Sequence, residues 1–394
     1  MKQLKELLAV ALALTLSQSP LLAQGPDVIL GELVGPRVYA RHNGIAAITF
    51  GTTSCNAGSA VLNWKQLPDN RHPVIALNMY RLLDGRMIQI GQSWVKHGFL
   101  ALQQNVCNFG CQANPPDGLG VGCSDPYSPS NNQGPRLGSR RLINPTTGNY
   151  DGLRALQDLD AFQPANPDEA RIAHGLQVKE SDLVVAGARY FIEGQYIAPD
   201  DAGAGNGLNN VSHLEVRVTQ DGAGNFVIEN ATVGTRPTTR EVPAIRAWPY
   251  ADFSLHDEPD DGRLIVAHRV VRISRTAFRY EYAVYNMNSE RGVRSFAVPV
   301  GNAQVTNVGF SAVASHGEAF SNDPWQATTQ DGRVNWSTQP FETNENANAI
   351  RWGTTYNFWF EAQVGPTIAD ASLGRFKPGA GAGTVSVKVQ APKN

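Results

Sequence analysis

Histidines, cysteines and two acidic turns are the side chains of this chain whose types and spacing could do chemistry. Of the eight histidines, no pair has the spacing of a zinc-binding helix. His72 and His97 instead flank an apolar-rich run, Asn78 to Ile90, interrupted by Asp84-Gly85. An Asp-Gly pair in such a run signals a hairpin, and a hairpin would bring the two imidazoles together. With Asp125 they would form a two-histidine, one-carboxylate site suited to iron, copper or zinc. Without that convergence, each is an ordinary turn or core histidine. The four cysteines are Cys55, Cys107, Cys111 and Cys123. In an exported chain an even number reads first as two disulfides, with three connectivities open. Cys107 and Cys111 are close enough to pair locally, which would leave Cys55 with Cys123. Their spacing does not match a zinc ribbon. Pro199-Asp200-Asp201-Ala202-Gly203 and Pro259-Asp260-Asp261-Gly262 offer adjacent carboxylates in glycine-containing turns, the oxygen ligands that calcium takes. Their plainer reading is a solvated β-turn. Gly91-Gln92-Ser93-Trp94 begins like a nucleophile elbow, but position 95 is Val where Gly is needed.

The elements that must hold these residues read as mostly β. Val28–Leu30, Val38–Ala40 and Ile45–Phe50 are strand text, followed by a polar turn from Gly51 to Gly58. Val95, Phe99, Leu102 and Val106 fall at helical spacing, although Gly98 weakens that helix. From Cys107 to Asn149 the Gly, Pro and Asn content excludes long elements, and a loop this long is usually functional or disordered. Residues 151–182 carry helical text. Val211 to Val218 alternates, and Asp221-Gly222-Ala223-Gly224 turns it back. After Arg236-Pro237 about seven short strands separated by turn residues suggest an antiparallel sandwich.

The first residues look like a secretory leader: Lys2 and Lys5, then an apolar Leu7–Leu16, then Ala23 as a small residue for cleavage. The expected organisation is a leader over 1–23, a β-rich domain with a disulfide-stapled loop over 24–240, and a β-sandwich over 241–394. No later apolar run reaches the length of a transmembrane helix. The charge is nearly balanced, 33 basic against 35 acidic residues, with no basic block, so nucleic acid is not expected as a partner. The protein is expected to be secreted or periplasmic.

GTTSCN, QSWVKHGF, VGCSDPY, RYEYAVYNMNSERGVRSFAVPV and NAIRWGTTYNFWF resemble blocks of a family of secreted bacterial proteins with no assigned activity. The resemblance implies secretion and carries over no catalytic residue. Two functions follow as expectations. The first is a secreted binding or structural protein for extracellular glycan or another surface polymer. Trp248, Tyr250, Trp325, Trp336 and Trp352 are candidates to stack on sugars, though in strands such residues more often form core. Glu193, Asp200, Glu215 and Asp252 could supply paired acids for glycoside hydrolysis, but nothing in their spacing requires it. The second is a secreted metal-dependent hydrolase or oxidoreductase using His72, His97 and Asp125. The corresponding cofactors are a transition metal or calcium.

Overall fold

The computed structural model describes residues 23–161, 163–231 and 238–393. All but the last residue of the expected leader, and the Arg236-Pro237 junction, lie outside these described residues. Strands make up 47% of the chain and helices 9%, so the chain is mostly β.

The N-terminal half contributes β1 (Val28–His42), β2 (Ile45–Asn56), β3 (Leu62–Asn63), β4 (Val74–Leu83), β5 (Arg86–His97), β6 (Gly118–Leu119) and β7 (Ser124–Tyr127). Then come α1 (Gly152–Asp158), α2 (Pro167–Ile172), β8 (Leu176–Lys179), β9 (Arg189–Ile197), α3 (Pro199–Gly203), β10 (Val211–Gln220) and β11 (Phe226–Asn230). The order β1-β2-β8-β5-β4-β9-β10-β11, with β7 added on β2, makes a nine-stranded antiparallel sheet. The sheet curls until β1 packs on β9, β10 and β11. Its concave face holds Val28, Leu30, Ile48, Phe50, Leu77, Met79, Ile192, Leu214 and Val216.

Asp84 and Gly85 both take left-handed backbone angles at the tip of the β4–β5 hairpin, as an Asp-Gly turn requires. Two expectations fail locally. The polar turn from Gly51 is strand as far as Asn56, because its backbone pairs with β1 on one side and β7 on the other. The helical stripe from Val95 to Val106 is absent. Val95 and His97 belong to β5, and the chain beyond Gly98 is loop.

The C-terminal half contributes β12 (Asp252–Glu258), β13 (Gly262–Arg272), β14 (Phe278–Asn286), β15 (Val293–Pro299) and β16 (Val305–Ser311). It ends with β17 (Gln326–Gln330), β18 (Arg333–Ser337), β19 (Thr354–Ala362), β20 (Pro366–Arg375) and β21 (Thr384–Pro392). The sheet β12-β13-β14-β19-β16 faces the sheet β17-β18-β15-β20-β21, with Tyr280, Tyr282, Phe358 and Phe360 of the first against Phe296, Trp336, Leu373 and Val389 of the second. This is the expected sandwich.

The first sandwich sheet is buried on both sides. Ile265, Ala267, Ala283 and Tyr285 point the other way and pack with Tyr80, Leu82, Met87, Phe191 and Trp248. The molecule is therefore three sheets deep at this point. The seam between the halves is also polar. Asn78, Gln89 and Arg140 all donate to the Gly353 carbonyl, at 3.0, 3.3 and 3.4 Å. Arg86 grips Glu281 with two bonds of 2.6 and 2.8 Å. Buried polar groups stay buried only when paired, and these pairs cross from one half to the other.

Candidate functional site

The structure brings His72 and His97 together. His97 ends β5 directly opposite Val74 of β4, two residues after His72. His72 Nε2 lies 3.0 Å from His97 Nδ1. A phenol that the sequence reading missed joins them: Tyr150 OH is 2.6 Å from His72 Nε2. All three side chains are buried. Burial holds the His72 imidazole down at about 4. The His97 imidazole is pushed well below its ordinary range, first by burial and then by its neighbour His72. Both are therefore neutral at pH 7. Burial also raises the Tyr150 phenol.

Asp125 is not part of this group. It sits in β7, opposite Ser54 of β2, and its Oδ1 accepts the Leu102 N–H at 3.0 Å. Burial pushes its carboxyl up to about 7. Among the described residues, no three His, Cys, Asp or Glu side chains are grouped to hold a metal ion.

The acidic turns are likewise occupied by protein donors. Asp200 and Asp201 lie on α3 rather than in a β-turn. Asp200 Oδ2 accepts from Asn63 N at 2.7 Å. Asp201 accepts from Val28 N at 2.9 Å and from Asn210 at 2.8 Å. Asp261 accepts from Arg291 N and Ser289 Oγ and pairs with Arg375, so an internal guanidinium fills the place of a cation. Asp260 is exposed at the turn.

The cysteines pair as Cys55–Cys107 and Cys111–Cys123. Neither pair set out by the local-pairing argument forms. The backbone from Val106 is held to β7 through Ser124, which brings Cys107 under β2 and beside Cys55.

Among the candidate acids, Glu193 is sealed in the seam between Asn78, Tyr80 and the Ala244 N–H, and Glu215 is paired with Arg189. Trp248, Trp325, Trp336 and Trp352 are core, whereas Tyr250 is 89% exposed.

A cleft of about 310 Å³ opens where the halves meet. Its walls come from Arg140–Ile143, α1, the segments around Glu318 and Phe341–Ala349, and the Arg351-Trp352 pair that leads into β19. Arg140 is locked into the rear wall by the Ser93 and Leu77 carbonyls. Arg291 and Lys377 are paired with Glu258 and Glu290. Arg141 lies 3.9 Å from Asp158 Oδ1, Arg351 donates to the Glu345 and Ala347 carbonyls at 2.8 and 3.2 Å, and Arg154 lines the cleft with Glu318 and Glu345. The Arg351 guanidinium lies 3.6 Å from the centre of the Phe320 ring, and burial lowers it to about 10. Burial raises the Glu318 carboxyl, which accepts from Arg141 N at 2.9 Å. A second depression, near Arg189 and Arg217, has its charges neutralised by Glu215 and Glu229. Sequence spacing could not reveal the cleft, because its lining comes from segments more than 200 residues apart.

No family model matches the chain, and no curated protein matches it. Among solved structures, the Fcho1 Mu homology domain of Danio rerio with bound Eps15 peptide is similar at 10% identity over 94% of each chain. Its TM-score of 0.18 carries no argument.

Proposed function

We propose that the protein is an exported binding protein whose cleft takes an acidic extracellular glycan or surface polymer. The observation that carries this reading is the cleft wall itself. Five arginines and Lys377 line it against Glu290, Glu318 and Glu345, and Phe320 and Phe341 stand among them. Guanidinium forks match carboxylates, and aromatic rings supply the apolar face on which sugars stack. A pocket of this size is at the lower end of those that hold small ligands, which suits a short stretch of polymer. Two disulfides fit an oxidising compartment. Among the described residues no helix is long and apolar enough to cross a membrane.

The competing reading, a secreted metal-dependent hydrolase or oxidoreductase, has its carboxylate Asp125 engaged elsewhere. Calorimetric titration with an oligogalacturonate, and with a neutral cello-oligosaccharide as control, tests the binding reading. The acidic oligomer should bind, weaken with added salt, and be lost in an Arg141→Ala, Arg154→Ala double variant. If neither oligomer binds, or the double variant binds as well as the parent, the cleft is not the site.

A further inference from the structure

We propose that His72 Nε2, His97 Nδ1 and Tyr150 OH bind one first-row transition-metal ion of the zinc or copper type, with the phenol in the place expected of Asp125. This site lies apart from the glycan reading and does not rest on it.

His72 Nε2 already lies within reach of both other donor atoms. Tyr150 OH to His72 Nε2 is 2.6 Å and His72 Nε2 to His97 Nδ1 is 3.0 Å. Two ligands around a tetrahedral zinc, each at about 2.0–2.1 Å, stand about 3.3 Å apart. To take an ion, the Tyr150–His72 pair must open by about 0.7 Å and the His72–His97 pair by about 0.3 Å. The rings are mutually edge-on, with centres 5.2, 5.7 and 5.2 Å apart, so each can aim a donor atom inward without stacking.

A purely hydrogen-bonded account leaves one atom serving two partners. A neutral imidazole nitrogen has one lone pair or one proton, not both. If His72 Nε2 is unprotonated, its lone pair must accept from both Tyr150 and His97. If it is protonated, one hydrogen must reach both. A metal ion gives each of the three atoms its own bond.

The ring positions are set by backbone rather than by the rings themselves. Gly98 N donates to Pro73 O at 2.9 Å, which ties the end of β5 to the turn carrying His72. Asn70 Nδ2 donates to Tyr150 O at 2.7 Å. Gly152 lies so close to Pro68 O that a Cβ there would stand at 1.9 Å. A Cβ on Gly138 would come within 2.7 Å of His97 Nε2, so only glycine leaves room for that imidazole. Donors prearranged by their scaffold are what a metal site requires. Two imidazole nitrogens and one phenolic oxygen suit zinc or copper rather than magnesium or calcium. Uptake releases one proton, from the phenol to solvent, and changes no oxidation state.

The test uses tag-free full chain loaded with Cu²⁺ or Zn²⁺ sulfate, dialysed against metal-free buffer, and analysed for metal per chain. One ion per chain should remain, and the copper form should show a phenolate-to-copper charge-transfer band. Tyr150→Phe keeps the ring packing. It should abolish the band and weaken uptake by about tenfold or more. His97→Ala should remove uptake. Should His97→Ala fail to fold by circular dichroism, Tyr150→Phe alone decides. The proposal is overturned if the parent retains no ion, or if Tyr150→Phe keeps both the band and the affinity.

Discussion

Asp125 left the metal candidate and became a different kind of residue, a buried acid with one satisfied oxygen. Its Oδ1 accepts from Leu102, while Oδ2 has no partner. Its carboxyl is pushed from 3.8 up to about 7 by burial, and Asp201 is pushed to about 7 in the same way. The native state therefore holds protons that the unfolded chain has released between about pH 4 and pH 7. The stability these groups contribute is complete below pH 4, falls as pH rises through that window, and is level above pH 7. Asp125→Asn keeps the acceptor for Leu102 and removes the charge. We expect it to stabilise the protein by about 1–3 kcal/mol at pH 8 and by much less at pH 5. Urea melts of parent and variant at both pH values check this, and an unchanged difference between the two pH values would exclude Asp125 as its source. The meeting of His72 with His97 was legible because a single hairpin sets it. The position of Asp125 was not, because β7 is placed by pairing with β2, about 70 residues earlier. Tyr150 gave no signal: it is an aromatic in irregular text, positioned by a hydrogen bond from Asn70.

At the scale of the element, the stapled loop hangs on β2 through Cys55–Cys107 and closes on itself through Cys111–Cys123. The pairs are 52 and 12 residues apart. Loop entropy then assigns about 4 kcal/mol to the first and about 3 kcal/mol to the second. Replacing Cys55 and Cys107 with Ala should lower the denaturant midpoint more than replacing Cys111 and Cys123, and the reverse order would show that the longer link is not the stronger restraint. Gly31 of β1 is the clearance for the first bridge. A Cβ there would stand 2.2 Å from Cys107 Sγ and 2.5 Å from Cys55 Sγ. Gly31→Ala should therefore destabilise by about 1–3 kcal/mol, measurable in the same melts, and should have no effect once both cysteines are alanine. A strand with alternating apolar residues, such as β10, was legible from its period. The strands that escaped had physical reasons. β17 is an exposed edge of Gln, Ala and Thr, β20 opens on a proline, and β12 is polar. The false helix after Val95 arose from apolar residues that serve a strand first and a loop afterwards.

On the scale of the whole molecule, the two halves share a seam and should melt together. Glu281 is fully buried between Arg86 of β5 and Arg279 of its own strand. Glu281→Ala leaves two guanidiniums facing an emptied site and should cost about 3–5 kcal/mol. Calorimetry should show one transition in the parent, and two resolved transitions would refute the shared seam. The sandwich was legible because its strands are short and regularly punctuated. The third layer was not, because period-two text marks which side chains share a face and says nothing of what lies beyond the other face. Phe278–Asn286 illustrates this: seven consecutive residues, Tyr280 to Asn286, are buried. That doubly covered strand bears on how the chain reaches its native state. An aromatic, β-prone stretch with neither face solvated is an adhesive until both flanking sheets have arrived. Its neighbours come from opposite ends of the chain, so the interval of exposure lasts until almost everything has been synthesised. Refolding yield should therefore fall steeply with protein concentration, and the polypeptide's main hazard is encounter with its own copies before β4 and β5 close over β14 and β19.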